Sequence, residues 1–105
     1  MTDKVLVLTT AGNEGEAQKI AQELVEGRLA ACVNIIPRVQ SIYRWEGKVE
    51  TAEEFLLVIK TTKTRSADVK VAIRELHSYD LPECVVVSME DGSAEYLKWI
   101  EESVG

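Results

Sequence analysis

Two extended, β-prone runs of equal length, Ala31 to Trp45 and Lys48 to Thr62, flank the dipeptide Glu46-Gly47. No other feature of the sequence limits the fold as much. Val, Ile, Thr and aromatic residues recur in both runs, and a Gly at the joint lets the chain reverse within two residues, so the pair predicts a β-hairpin. The turn sets the register: Trp45 faces Lys48, Tyr43 faces Glu50 and, with no irregularity, Cys32 lies near Thr61. Pro37 has no N–H to give to a ladder and is the expected site of a bulge. An arm of about 14 residues at ~3.3 Å each spans roughly 45 Å, far beyond the usual strand of 5–6 residues. One small sheet cannot use all of it.

The remaining segments are shorter. Lys4 to Thr10 is a buried strand, and Asn13 with Glu16 three residues on signals a helix start. Ala17, Ile20, Ala21, Leu24 and Val25 then repeat at helical spacing until Gly27. After Thr64 a second helical stripe, Val69, Ala72, Ile73 and Leu76, ends near His77, ahead of Pro82. Cys84 to Met89 is expected to be a further buried strand. Asp91-Gly92 turns the chain, and Ser93 caps a last helix carrying Tyr96, Leu97, Ile100 and Val104. The order β-α-β-β-α-β-α predicts a single α+β domain over residues 1–105: a ferredoxin-like βαββαβ sandwich with an extended hairpin between its second and third strands and a C-terminal helix.

Such a sheet has helices on one face and should alternate apolar and polar residues toward water on the other. VLVL, FLLVI and CVVV are instead apolar on both faces, and 46% of all residues are hydrophobic. The short last helix covers only part of the second face. Identical subunits are the simplest cover for the rest, so the chain is expected to be an obligate homo-oligomer.

Charge and composition exclude other classes. A net charge of −6 disfavours nucleic acid, whose phosphates need clustered Lys and Arg. No apolar run approaches the ~20 residues of a membrane helix. Two Cys and one His cannot build a disulfide framework or a structural zinc cage, and free thiols without an export signal make a cytoplasmic location the expectation.

The chemistry-bearing residues are few. Arg38 to Arg44, R-V-Q-S-I-Y-R, lacks the Gly of an acylphosphatase-type phosphate cradle and lies in a strand. Cys32 and Cys84 sit in apolar runs, and neither adjoins a basic residue that would activate a thiol. His77-Ser78-Tyr79-Asp80-Leu81-Pro82-Glu83 places the imidazole, a phenol and carboxylates on one connection. That set can contribute to a divalent metal site; equally, His77 can cap its helix while Glu83 pairs with a Lys. No nucleophile–base pair can be assembled, so no enzymatic activity is expected.

Six blocks in order carry a family resemblance over nearly the whole chain: R-L-A-A-C-V-N (Arg28–Asn34), I-P (Ile36-Pro37), S-I-Y-R-W-E-G (Ser41–Gly47), L-V-I-K-T (Leu57–Thr61), H-S-Y-D-L-P-E (His77–Glu83) and Y-L-K-W (Tyr96–Trp99). The chain resembles the CutA family of divalent-cation tolerance proteins. The resemblance implies a ferredoxin-like subunit in a tight homotrimer and a link to divalent metals, Cu²⁺ above all, with His77 as the metal ligand. Two further ligand positions implied for the family, a Cys at the end of the first strand and a second His, are Thr9 and Leu76 here. It also implies an intersubunit cleft holding Tyr43, Trp45, Lys60, Tyr79 and Glu83. Because the trimer is similar to that of PII signalling proteins, sensing of a small anionic ligand in that cleft is the alternative to metal binding.

Overall fold

The computed structural model of the chain describes residues 2–105. Seven elements follow in order: β1 (Lys4–Ala11), α1 (Glu14–Glu26), β2 (Cys32–Trp45), β3 (Lys48–Thr62), α2 (Lys63–Leu76), β4 (Val85–Ser88) and α3 (Ala94–Ser103). The four strands form one antiparallel sheet in the order β2-β3-β1-β4. This is the expected α+β, ferredoxin-like arrangement.

Side-chain oxygens start the helices. Asn13 accepts from the Glu16 N–H, Thr62 from the Arg65 N–H and Ser93 from the Tyr96 N–H, each satisfying a donor the helix itself leaves free. Strand alternation then sorts the residues of the central strands. Val5, Val7, Leu57 and Ile59 point to one face and join Ala17, Ile20 and Leu24 of α1 and Val69 and Ile73 of α2 in the core. Leu6, Leu8, Leu56 and Val58 point to the other face, where α3 lies across β3 and β1 with Ile100 fully buried.

The hairpin register matches the expectation at its tip, Trp45 against Lys48 and Tyr43 against Glu50. Pairing breaks between Ile36 and Val39, so Pro37 and Arg38 together oppose the single residue Phe55, and Arg38 takes a left-handed φ of 61°. That bulge moves Cys32 one place, opposite Lys60 rather than Thr61. An ammonium-bearing residue therefore does stand across from this Cys, which the linear sequence conceals. β1 ends at Ala11, opposite Phe55, so residues 39–45 and 48–54 pair only with each other and leave the body as a two-stranded arm. The molecule is accordingly elongated, 44 × 25 × 22 Å.

β4 departs from expectation. It is four residues long rather than the Cys84–Met89 run, and its valines are exposed rather than buried: 49%, 40% and 42% for Val85, Val86 and Val87. It is an edge strand paired only with β1, and α3, seated over β3 and β1, leaves it uncovered. Within the single chain nothing buries it, although its composition suits a buried strand.

Candidate functional site

The His77 segment leaves the end of α2 and packs against the C-terminal end of β1. The backbone N–H of His77 still closes the last helical turn onto the Ile73 carbonyl, while its backbone turns extended (ψ 142°). The ring does not cap the helix. Nε2 lies 2.5 Å from the Thr10 carbonyl, and since a carbonyl only accepts, Nε2 carries a proton and donates it. Nδ1 accepts the backbone N–H of Tyr79 at 3.1 Å. Both nitrogens are thus engaged by backbone groups, and the His77 side chain is fully buried.

Glu16 reinforces the segment from α1. Its Oε1 accepts the Ser78 N–H and its Oε2 the Ser78 hydroxyl, both at 2.8 Å, and Oε1 stands 3.1 Å from His77 Nδ1. Burial pulls this carboxyl toward its neutral form, but the two Ser78 bonds together act against it and hold it below the usual carboxylate range. Next in line, the Tyr79 ring lies against the His77 ring, centroids 4.5 Å apart, and its hydroxyl donates to Glu54 Oε2 at 2.7 Å. Burial first, then the Glu54 carboxylate, push the phenol well above its ordinary range, so it stays a donor. Gly12 provides the passage: a Cβ there would stand 2.9 Å from the Tyr79 hydroxyl.

His77 and Tyr79 are therefore brought together; the other expected site residues are not. Tyr43 and Trp45 lie on the arm, half exposed. Lys60 sits ten places along β3 from the partner of Tyr43, roughly 33 Å at ~3.3 Å per residue, so the two cannot share a cleft within one chain. The Lys60 ammonium instead lies 5.6 Å from the Tyr96 ring centroid. Glu83 is exposed and makes no ion pair among the described residues. A shallow surface hollow of about 440 Å³ between α1 and β2, lined by Gln18, Gln22 and Glu26 as well as Ala21, Val25, Val33 and Ile35, includes none of these residues.

Glu16, Glu54 and Gly12 are the members of the site that the sequence reading does not include. Glu16 carries a capping-box signal, yet its carboxylate crosses to Ser78 instead of returning to its own helix. Glu54 had a usable signal, a carboxylate set directly against the apolar run Phe55-Leu56-Leu57 in a strand.

As a metal centre within one chain, this donor set does not fit. No group of three or more His, Cys, Asp or Glu among the described residues is placed to hold an ion. Thr9 is fully buried with its hydroxyl unpartnered, Leu76 is apolar, and His77 has both nitrogens in hydrogen bonds.

Comparison with known proteins places the chain. The family model described as CutA1 divalent ion tolerance protein matches residues 5–103. The divalent-cation tolerance protein CutA of Thermus thermophilus is 46% identical over 100 residues, covering 95% of this chain and 97% of that one. Its counterpart from Archaeoglobus fulgidus is 42% identical over 98 residues, covering 93% and 95%. The chloroplastic CutA of Arabidopsis thaliana is 38% identical, and there the match spans 54% of the longer plant protein. Among solved structures, CutA of Xylella fastidiosa superimposes with a TM-score of 0.97 at 38% identity, covering 99% of this chain and all of that one. With the fold, the ordered blocks and these matches in agreement, the chain belongs to the CutA1 divalent ion tolerance family.

Proposed function

We propose that this chain serves divalent-cation tolerance as a non-enzymatic homotrimer that binds a divalent metal ion, Cu²⁺ included, weakly. The observation that supports it is the uncovered β4. Its valines Val85 to Val87 are solvent-exposed, 40–49% accessible, and its outer edge has no strand partner. β2 is the other open edge, on the opposite side of the sheet. Two different edges joined head to tail would make a heterologous contact, which gives a ring rather than a two-fold pair when its rotation closes. Light scattering tests this directly. The expected mass is three times the 11.7 kDa of one chain, and a sharp peak at 11.7 kDa overturns the trimer.

The state of His77 is the reason the proposed metal binding is weak. Its Nδ1 and the Glu16 Oε1 stand side by side, 3.1 Å apart, but the Nδ1 lone pair already accepts the Tyr79 N–H. A metal ion would have to displace that bond, losing about 0.5–1.5 kcal/mol, and would find one carboxylate beside it. Calorimetric titration with Cu²⁺ of the wild type and His77→Ala, with circular dichroism to confirm folding, is the test. A shallow isotherm lost in the variant supports the reading, and identical isotherms remove His77 from any metal role.

The PII-like alternative has one observation in its favour. Lys60 offers its ammonium beside Tyr96, itself 5.4 Å from the Trp99 ring, and both aromatics are partly exposed. Melting-temperature shifts with nucleotides or carboxylic acids but not with metal salts would favour it.

A further inference from the structure

The arm formed by residues 39–54 is joined to the body at a weak point. Beyond the Ala11–Phe55 pair β1 supplies no further residues, and at the same level the Pro37-Arg38 bulge interrupts the ladder between β2 and β3. A bulge bends and twists a ribbon, and a two-stranded ribbon alone is marginally stable in water. The joint is therefore where the direction of the arm is decided. Glu54, paired with Val39, is the first arm residue past it. It is a carboxylate-bearing residue only 7% exposed, with no cation beside it among the described residues, and its hydrogen bond comes from the Tyr79 phenol.

Tyr79 is held in turn by groups of the body. Its N–H bonds to His77 Nδ1, its ring lies on the His77 ring, and Glu16 fixes Ser78 through both carboxylate oxygens. We infer that the His77-Ser78-Tyr79 segment is an anchor that fixes the arm to the body through the Tyr79–Glu54 hydrogen bond. His77 and Tyr79 are positioning residues in this role, which requires no metal. Its consequence for assembly rests on the trimer proposed above, because an arm leaving the body in a fixed direction meets a neighbouring subunit in a fixed place.

Hydrogen exchange of the arm amides, read separately from the body amides, tests the anchor. Tyr79→Phe keeps the ring and removes the donor, and Glu54→Leu removes the acceptor; both should speed exchange over residues 39–53 at least fivefold while amides of α1 and β1 stay as protected as in the wild type. Glu54→Gln retains an acceptor for the phenol and should exchange like the wild type. Gly12→Ala, which crowds the Tyr79 hydroxyl without touching Glu54, should reproduce the Tyr79→Phe pattern. Equal arm protection in all four variants overturns the anchor, as does loss of protection that is uniform across arm and body. Light scattering on the same samples keeps the two readings apart. A monomeric wild type refutes the trimer while arm exchange still reports on the anchor, and a trimeric wild type with unaltered arm exchange in the variants refutes the anchor alone.

Discussion

Thr9 is the residue whose chemistry and surroundings agree least. Its side chain is fully buried and its hydroxyl has no hydrogen-bond partner, so the group has lost water and gained nothing in exchange. Thr9→Val keeps the shape and removes the stranded hydroxyl; it should stabilise the fold by about 1 kcal/mol, read as a higher urea midpoint at unchanged slope. Glu16 is the opposite case, a carboxylate whose partners favour its charge. Its folded pKa is depressed below the unfolded value of 4.5, so its stabilisation is fully present above that pH and is lost as pH falls through the folded value. Acid titration of stability should therefore fall more steeply below pH 4.5 in the wild type than in Glu16→Gln, and equal curves would deny Glu16 this role. Neither property was legible beforehand. A threonine in a strand is unexceptional, and the partner of Glu16 lies 62 positions away.

At the scale of elements, most of the fold could be read because local signals and burial agreed. Asn13 and Ser93 cap where polar residues precede apolar stripes, while Thr62, expected only as a strand end, caps α2 as well; Glu46-Gly47 reverses the chain with both residues at positive φ. Pro37 announced the bulge because a missing N–H is a property of the residue itself. What it could not announce was the count, two residues against one, and that count moved Cys32 from Thr61 to Lys60. The bulge also forces Arg38 into the left-handed region at φ 61°, where a Cβ crowds the backbone. Arg38→Gly should relieve this and leave the fold as stable or more stable, by up to about 1 kcal/mol in thermal or urea unfolding. A loss of more than that would mean that the Arg38 side chain, not its backbone, matters at the joint.

On the scale of the whole molecule, sequence and subunit disagree over β4 and nowhere else as strongly. C-V-V-V has the composition of a core strand, yet its three valines are 40–49% exposed and only β1 lies beside them. A long arm, an uncovered valine strand and a second open edge on the far side of the sheet are mutually explanatory when the folding unit is larger than one chain. Tyr43 and Lys60 cannot meet inside one chain, so the expected cleft exists only if the proposed assembly brings them together from different copies. Val85→Lys separates the possibilities. In an isolated subunit a half-exposed valine on an edge strand tolerates lysine, whose charge is a common guard against edge pairing, so the fold should persist with a stability change within about 1 kcal/mol. In the proposed assembly the same ammonium would be buried against apolar neighbours without a partner, and the species seen by light scattering should move to the mass of a single chain. Retention of the oligomer by Val85→Lys, with circular dichroism unchanged, would place the subunit contact elsewhere and leave the exposed valines of β4 unexplained.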